Sequence, residues 1–220
     1  MRIIKAIFKF GLWLCAVGVL TAIAGALAIF VVLVPDLPST DSLKDVQLQV
    51  PLRVYSRDER LIAEFGEQRR MPLTLGDVPE RMIQAVLASE DERFYDHPGV
   101  EWRGLARAVW HIVKTGEKGP GGSTITMQVA RNFFLSREKT YLRKLNEILL
   151  SFQIERDLSK DEILELYVNK IFLGHRAYGV GAAAQVYYGK PVEALTLAEM
   201  AMIAGLPQRP SSDNPVSNPD

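Results

Sequence analysis

The sequence predicts a mainly α-helical protein with one N-terminal transmembrane helix and a small β-hairpin linker. Three observations predict it. Phe10 to Val34 carries no charged residue. Two short runs of alternating apolar residues flank a polar stretch at 56–60. The remainder of the 220 residues reads helical, punctuated by capping-box spacings and glycine stops.

The uncharged stretch is 25 residues long. That is about 37 Å of helix, against the roughly 20 residues a bilayer core requires. Thr21 is its only clearly polar residue. Ala24, Ala26 and Ala28 have the spacing of a signal-peptide cleavage site. A signal h-region spans only about 7–15 residues, however, and here the apolar run continues to Val34, so the helix reads as an uncleaved anchor. Arg2, Lys5 and Lys9 precede the span, and Asp36 and Asp41 follow it. The positive-inside bias puts residues 1–9 in the cytoplasm and everything after residue 35 outside. Gly11, Cys15, Gly18, Ala22 and Gly25 form a seam of small residues along which a partner helix can approach.

Residues 35–70 read as a linker. Val50, Leu52 and Val54 alternate with polar neighbours, as do Leu61, Ala63 and Phe65, with Ser56-Arg57-Asp58-Glu59-Arg60 between them, which is a hairpin pattern. Residues 71–215 read as one helical domain. Asp77 with Glu80, Ser159 with Glu162, and Thr196 with Glu199 have capping-box spacing. Gly116, Gly174, Gly189 and Gly205 fit helix stops. Tyr141, Leu145, Ile148, Leu149 and Phe152 mark the expected buried stripe of a helix beginning near Glu138. Trp102, Trp110, Phe133 and Phe134 are expected mainly in the core. A loop at 116–122 interrupts the helices, and 216–220 reads as the start of a further region.

Composition excludes several classes. Hydrophobic residues at 48% and charged residues at 24% exclude a disordered chain. A formal net charge of +0, from 26 Lys+Arg against 26 Asp+Glu, removes the footprint of a nucleic-acid binder. The single Cys15 excludes an intrachain disulfide and a cysteine-based zinc site. His97, His111 and His175 share no metal-ligand spacing.

Two carboxylates stand out. Glu90 follows an amphipathic run carrying Met82, Val86 and Leu87, near the C-terminal end of a helix, with Asp91 beside it. Burial, a like charge and the negative helix end all raise the pKa of such a Glu toward that of a useful base. Glu147 has Arg143 at i−4 and Lys144 at i−3, on one helix face. Taken alone, each also fits a surface helix end and a solvated ion pair. Between them, Gly121-Gly122-Ser123-Thr124 runs into a helix start, a pattern that suits an anion. Arg131, Arg143 and Lys144 add positive charge.

The three signatures of penicillin-reactive serine enzymes are also present as strings: Ser136-Arg137-Glu138-Lys139, Ser212-Asp213-Asn214 and Lys114-Thr115-Gly116. Their context rejects them. The Lys-Thr-Gly comes first, at a predicted helix end, instead of last on a strand.

Five stretches, in order, carry a family resemblance. Glu90-Asp91-Glu92-Arg93-Phe94-Tyr95-Asp96-His97-Pro98-Gly99 resembles the first motif of the family-51 peptidoglycan glycosyltransferases. Gly122 to Gln128, Arg143 to Glu147, Ile163 to Asn169 and Ala204 to Gln208 resemble the next four. With its anchor and hairpin, the chain resembles the N-terminal part of a class A penicillin-binding protein of the 1A type. The resemblance implies a lysozyme-like glycosyltransferase domain over 71–215, outside the bacterial cytoplasmic membrane. Such enzymes polymerise lipid II into β-1,4 glycan strands from an undecaprenyl-pyrophosphate-linked donor. It implies Glu90 as general base and Glu147 as orienter of the basic groups that meet the pyrophosphate, directly or through Mg2+ or Mn2+. Asp91, Arg93, Phe94, His97, Ser123, Thr124, Gln128, Arg131, Asn132, Arg143 and Lys144 are implied on the substrate side. Arg131 stands where many members have Lys, which exchanges a point charge for a planar fork. A lysozyme-like lytic enzyme and a non-enzymatic membrane scaffold are the alternatives. The basic groups favour the transferase over the former, and the two carboxylates in motif context argue against the latter.

Overall fold

The computed structural model describes residues 2–44, 46, 51–58, 60–66, 69–117, 121–136, 138 and 140–217, with the side chains of 2–8, 22, 26, 29, 30, 32, 53, 55, 61, 64 and 65 outside that description. The chain forms two compact units, Met1–Ser39 and Thr40–Asp220.

The first unit is the helix α1 (Arg2–Leu33), which continues into a 3-10 turn at Val34–Asp36. Its described apolar side chains, among them Phe10, Trp13, Leu20 and Val31, are exposed. Thr21 Oγ1 donates to the Val17 carbonyl at 2.8 Å, so the one polar side chain of the apolar stretch is satisfied within the helix. Among the described residues no helix is long and apolar enough to cross a membrane. At Gly11, Gly18 and Gly25 an added Cβ would meet nothing. Ala22 of the same seam, with the side chains of Arg2 and Lys5, lies outside the described set.

The second unit begins with the hairpin. Strands β1 (Leu52–Tyr55) and β2 (Leu61–Phe65) pair antiparallel, with Leu52 opposite Phe65 and Val54 opposite Ala63. Ser56 N donates to Arg60 O at 2.8 Å to close the turn. Val50, the first residue named in the pattern, lies outside the described residues. A second pair went unread: β3 (Arg69–Arg70) and β4 (Ala177–Tyr178) pair in parallel. Two-residue strands this far apart in sequence leave no periodicity to read.

Among the described residues seven α-helices follow: α2 (Glu80–Glu90), α3 (Trp102–Thr115), α4 (Ile125–Phe134), α5 (Tyr141–Asp157), α6 (Lys160–Lys170), α7 (Val180–Tyr188) and α8 (Leu197–Gly205). α4 is the centre. It packs on α5 and α6, while α2 packs on α8. Ile125, Met127 and Val129 of α4 meet a core that holds Leu150, Ile154, Ile163 and Leu164, all essentially without exposure. Each such side chain contributes about 1.5–3 kcal/mol by leaving water.

Helix ends follow the capping chemistry with three corrections. Ser159 with Glu162 and Thr196 with Glu199 form reciprocal boxes. Asp77 does not cap α2. It closes a box with Thr74 around a 3-10 turn, and α2 starts after Pro79. Gly116 and Gly189 are left-handed C-caps. Gly205 is right-handed, because the chain continues from α8 into a 3-10 turn. Gly174, at φ +86°, serves a turn after Ile171 instead of a helix end.

The stripe expected on α5 is also corrected. The helix begins at Tyr141, which is fully exposed, and Phe152 is partly so. Its buried face is Glu147, Leu150, Ser151 and Ile154. The inward side carries two polar residues, and an apolar count therefore picks the wrong face. Trp102 and Trp110 of α3, expected in the core, are exposed together with Val109, Ile112 and Val113. Phe133 is half-buried, with Lys170 Nζ 4.4 Å from its ring centre, and Phe134 is half-buried beside it.

Candidate active site

The site is built on the junction between α2 and α4. α2 ends at Glu90, and Asp91 follows as its C-cap residue. The Asp91 carboxylate turns inward. It accepts from His97 Nε2 at 2.9 and 3.0 Å and from Ile125 N at 3.0 Å. One buried side chain thus joins the end of α2, the following loop and the start of α4. His97 Nε2 must carry its proton to donate to this carboxylate. Phe94 anchors the same loop from beneath, fully buried, with Lys160 Nζ 4.3 Å from its ring centre. Lys160 also donates to His97 O at 2.6 Å and to Glu155 Oε1 at 2.8 Å.

A cavity of about 390 Å³ opens beside this junction, lined by Glu90, Arg93, Glu101, Arg107, Ser123 and Thr124 among others. Glu101 caps α3 by accepting from Arg103 N and Gly104 N, and it holds Arg93 at 2.6 Å. The opposite wall comes from the glycines before α4. A Cβ on Gly122 would stand 3.0 Å from the Gly104 carbonyl oxygen and 3.1 Å from Leu105 Cα. Backbone here rests directly on backbone, which only glycine allows.

Glu90 Oε2 accepts from Gln128 Nε2 at 2.7 Å. Arg131 donates to the other end of the same amide, at 3.4 Å from Gln128 Oε1. That contact fixes which end of Gln128 faces Glu90. Burial pushes the Glu90 carboxyl above its ordinary pKa, while the Gln128 hydrogen bond and the Arg131 charge oppose that rise and neighbouring Asp91 adds to it. Glu90 therefore has a raised affinity for a proton and a fixed orientation.

Glu147 is placed quite differently. Its side chain is 1% exposed. Lys144 Nζ donates to Oε2 at 2.8 Å, and Arg143 Nε lies 3.4 Å from Oε1. Lys144 Nζ also donates to Ser123 Oγ at 2.7 Å, which brings the group to the cavity wall. The solvated ion pair that sequence alone allowed is thus excluded, and Glu147 is a buried carboxylate with two cationic neighbours. Among the described residues no group of three or more His, Cys, Asp or Glu is placed to hold a metal ion, and Glu147 Oε2 is committed to Lys144.

The structure brings Glu90, Gln128 and Arg131 into one group and Ser123, Arg143, Lys144 and Glu147 into another. Arg93 and Thr124 line the cavity, Thr124 as the N-cap of α4. Asp91 also lines the cavity and His97 an adjoining pocket, while Phe94 is fully buried. They are buried, and they hold the loop in place. Asn132 is half-buried on α4 and, among the described residues, makes no hydrogen bond to either group. The anion site expected at the start of α4 is corrected as well. Its first N–H is taken by Asp91, and the N–H of Met127 by Thr124. Positive charge at the cavity comes from side chains. Lys114-Thr115-Gly116 closes α3 and Ser212-Asp213-Asn214 lies in a turn region, while Arg137 and Lys139 of the third string lie outside the described residues.

Sequence reasoning missed Glu101 and Arg107, whose only signal is their placement on and before the polar face of α3. It also missed Tyr167 of α6, whose ring reads as ordinary core. Tyr167 is 1% exposed and its hydroxyl faces Glu90. Burial and the nearby carboxylate hold that hydroxyl well above its ordinary pKa.

Residues 58–220 match the model of a family described as Transglycosylase. Penicillin-binding protein 1A of Pseudomonas aeruginosa is 56% identical over 216 residues, which is 97% of this chain and 26% of that protein. Penicillin-binding protein 1A of Escherichia coli is 56% identical over 186 residues, 84% of this chain and 22% of that protein. A crystal structure of penicillin-binding protein 1A from Haemophilus influenzae is 36% identical over 79% of this chain and 16% of its own, with a TM-score of 0.40. The chain spans about a quarter of the length of the two relatives named first.

Proposed function

Because the chain belongs to the transglycosylase family, we propose that it is a peptidoglycan glycosyltransferase that polymerises lipid II into β-1,4 glycan strands. One observation carries this reading: Glu90 stands at a cavity edge, its carboxyl pushed up by burial and its Oε2 fixed by Gln128. That is what a base for a sugar hydroxyl requires. Glu90 takes the proton of the 4-hydroxyl of the acceptor's N-acetylglucosamine. The freed oxygen bonds to the anomeric carbon of the growing strand, and the bond from that carbon to pyrophosphate breaks with inversion from α to β. The leaving undecaprenyl pyrophosphate carries away the electron pair. Arg131, with Lys144 and Arg143 as Glu147 holds them, offsets its charge.

A lipid-linked substrate calls for work at a membrane surface. In this reading residues 10–34 anchor the chain in the bacterial inner membrane, with residues 1–9 cytoplasmic and the catalytic domain periplasmic. The basic start and acidic follow-on of the span support that orientation. The exposed face of α3, with Trp102, Val109, Trp110 and Val113, suits the lipid interface. The small-residue seam of α1 is the face for a partner helix.

The test supplies purified protein with lipid II. Long glycan, made by the wild type, blocked by a moenomycin-type inhibitor and absent with folded Glu90→Gln, is the expected result. Sugar fragments released from finished peptidoglycan would replace this reading with a lytic one.

A further inference from the structure

Among the described residues, the buried polar atoms without a hydrogen-bond partner include Glu90 Oε1 and the Tyr167 hydroxyl. An unpaired buried acceptor next to an unpaired buried donor is a costly arrangement unless the two serve each other. They come from different elements, Glu90 from the end of α2 and Tyr167 from the middle of α6, and each lies within the other's electrostatic surroundings. Oε2 is already taken by Gln128, so Oε1 is the oxygen left for Tyr167.

We propose that Tyr167 is a positioning residue for Glu90: its hydroxyl donates to the inward oxygen, Oε1, and fixes the carboxylate plane while Oε2, beside Gln128, receives the acceptor's proton. The inference rests on the reading of Glu90 as base. Tyr167 has no exposed surface with which to touch a substrate, so it acts only through Glu90. The hydrogen bond also favours the charged carboxylate, against the burial that disfavours it. The other groups that face Glu90 are Gln128 and Arg131 from α4 and Asp91 from its own loop. α8, packed on α2, carries one charged residue, Glu199, and Lys190 holds that at 2.8 Å.

The experiment replaces Tyr167 with Phe in the full chain. It follows the Glu90 carboxyl by carbon-13 NMR, assigned by its loss in Glu90→Gln, alongside the pH dependence of kcat and KM on lipid II. Removing a donor from the charged form raises the Glu90 pKa. The expected result is a rise of about one pH unit in both the NMR midpoint and the acid limb of kcat. KM for lipid II stays unchanged. A site-specific 3-fluorotyrosine at position 167 donates more strongly and shifts both the opposite way, and it carries the test if Tyr167→Phe does not fold. An unmoved midpoint in a folded variant overturns the proposal. If the midpoint moves while the wild type makes no glycan, the function above fails and the Tyr167–Glu90 contact stands.

Discussion

Two glutamates on neighbouring parts of one site show how far environment separates identical side chains. Glu90 is held by a neutral amide and left with spare capacity, and burial raises its pKa. Glu147 is more deeply buried, but two cations hold it, Lys144 at 2.8 Å and Arg143 at 3.4 Å. The first is arranged to gain a proton. The second is arranged as the shared anchor of two cations. Burial alone does not decide which role a carboxylate takes; the charge of its nearest partner does.

The sharpest way to break the comparison is the same substitution at both positions. Glu90→Gln removes the base and is expected to lower polymerisation of lipid II by about 10³-fold or more, read as glycan formed per unit time. Glu147→Gln leaves both cations without their anchor. We expect polymerisation to fall by about 10²-fold, because a displaced cation no longer meets the developing charge. We also expect it to cost about 2–3 kcal/mol of stability, the low end for breaking a buried pair, since Lys144 is 32% exposed. That is about 5–10 °C in Tm by calorimetry. Should Glu147→Gln melt like the wild type, the buried pair is not what holds this part of α5.

Stability should respond in the opposite sense at Glu90. A carboxyl whose folded pKa lies above its unfolded value binds more protons in the native state, so its ionisation opposes folding as pH rises through that interval. The penalty is complete above the folded pKa and absent below the unfolded one. Glu90→Gln is therefore expected to raise Tm at neutral pH and to leave it unchanged in acid. A Tm gain that persists in acid would assign the effect to packing instead. The smallest expected change is Arg131→Lys, which exchanges the fork that meets Gln128 Oε1 for a point charge. A loss of about fivefold in kcat, with Tm unchanged, would show that the amide's orientation matters beyond the charge.

Much of this was legible in the sequence. The existence of the hairpin, the boxes at Ser159 and Thr196, the helix ending at Glu90 and the shared face of Arg143, Lys144 and Glu147 all follow from local spacing. What escaped depends on contacts across the chain. Asp91 takes the N–H that was assigned to an anion, because a loop of no set period folds it onto α4. Glu147 and Ser151 turn inward on α5 because cations and a carbonyl satisfy them there, which no count of apolar residues detects. The aromatic face of α3 stays outside despite its composition. Tyr167 lies within the stretch Ile163 to Asn169, yet its hydroxyl gains meaning only beside Glu90.

The meeting of Gly122 with Gly104 limits how this cavity can change. In an ordinary core an enlarged side chain is accommodated by trimming its neighbour. Here the obstacle is the main chain of Gly104 and Leu105, which no trimming removes, and Gly104 has its own obstacle, since a Cβ there would lie 2.7 Å from Glu101 Oε2. A larger residue at 122 therefore has no local second-site suppressor. Any recovery has to move the α3 backbone itself, and with it the Glu101 and Arg107 side of the cleft. The width of the cleft is set by main chain and cannot be tuned gradually by side-chain exchange at this point.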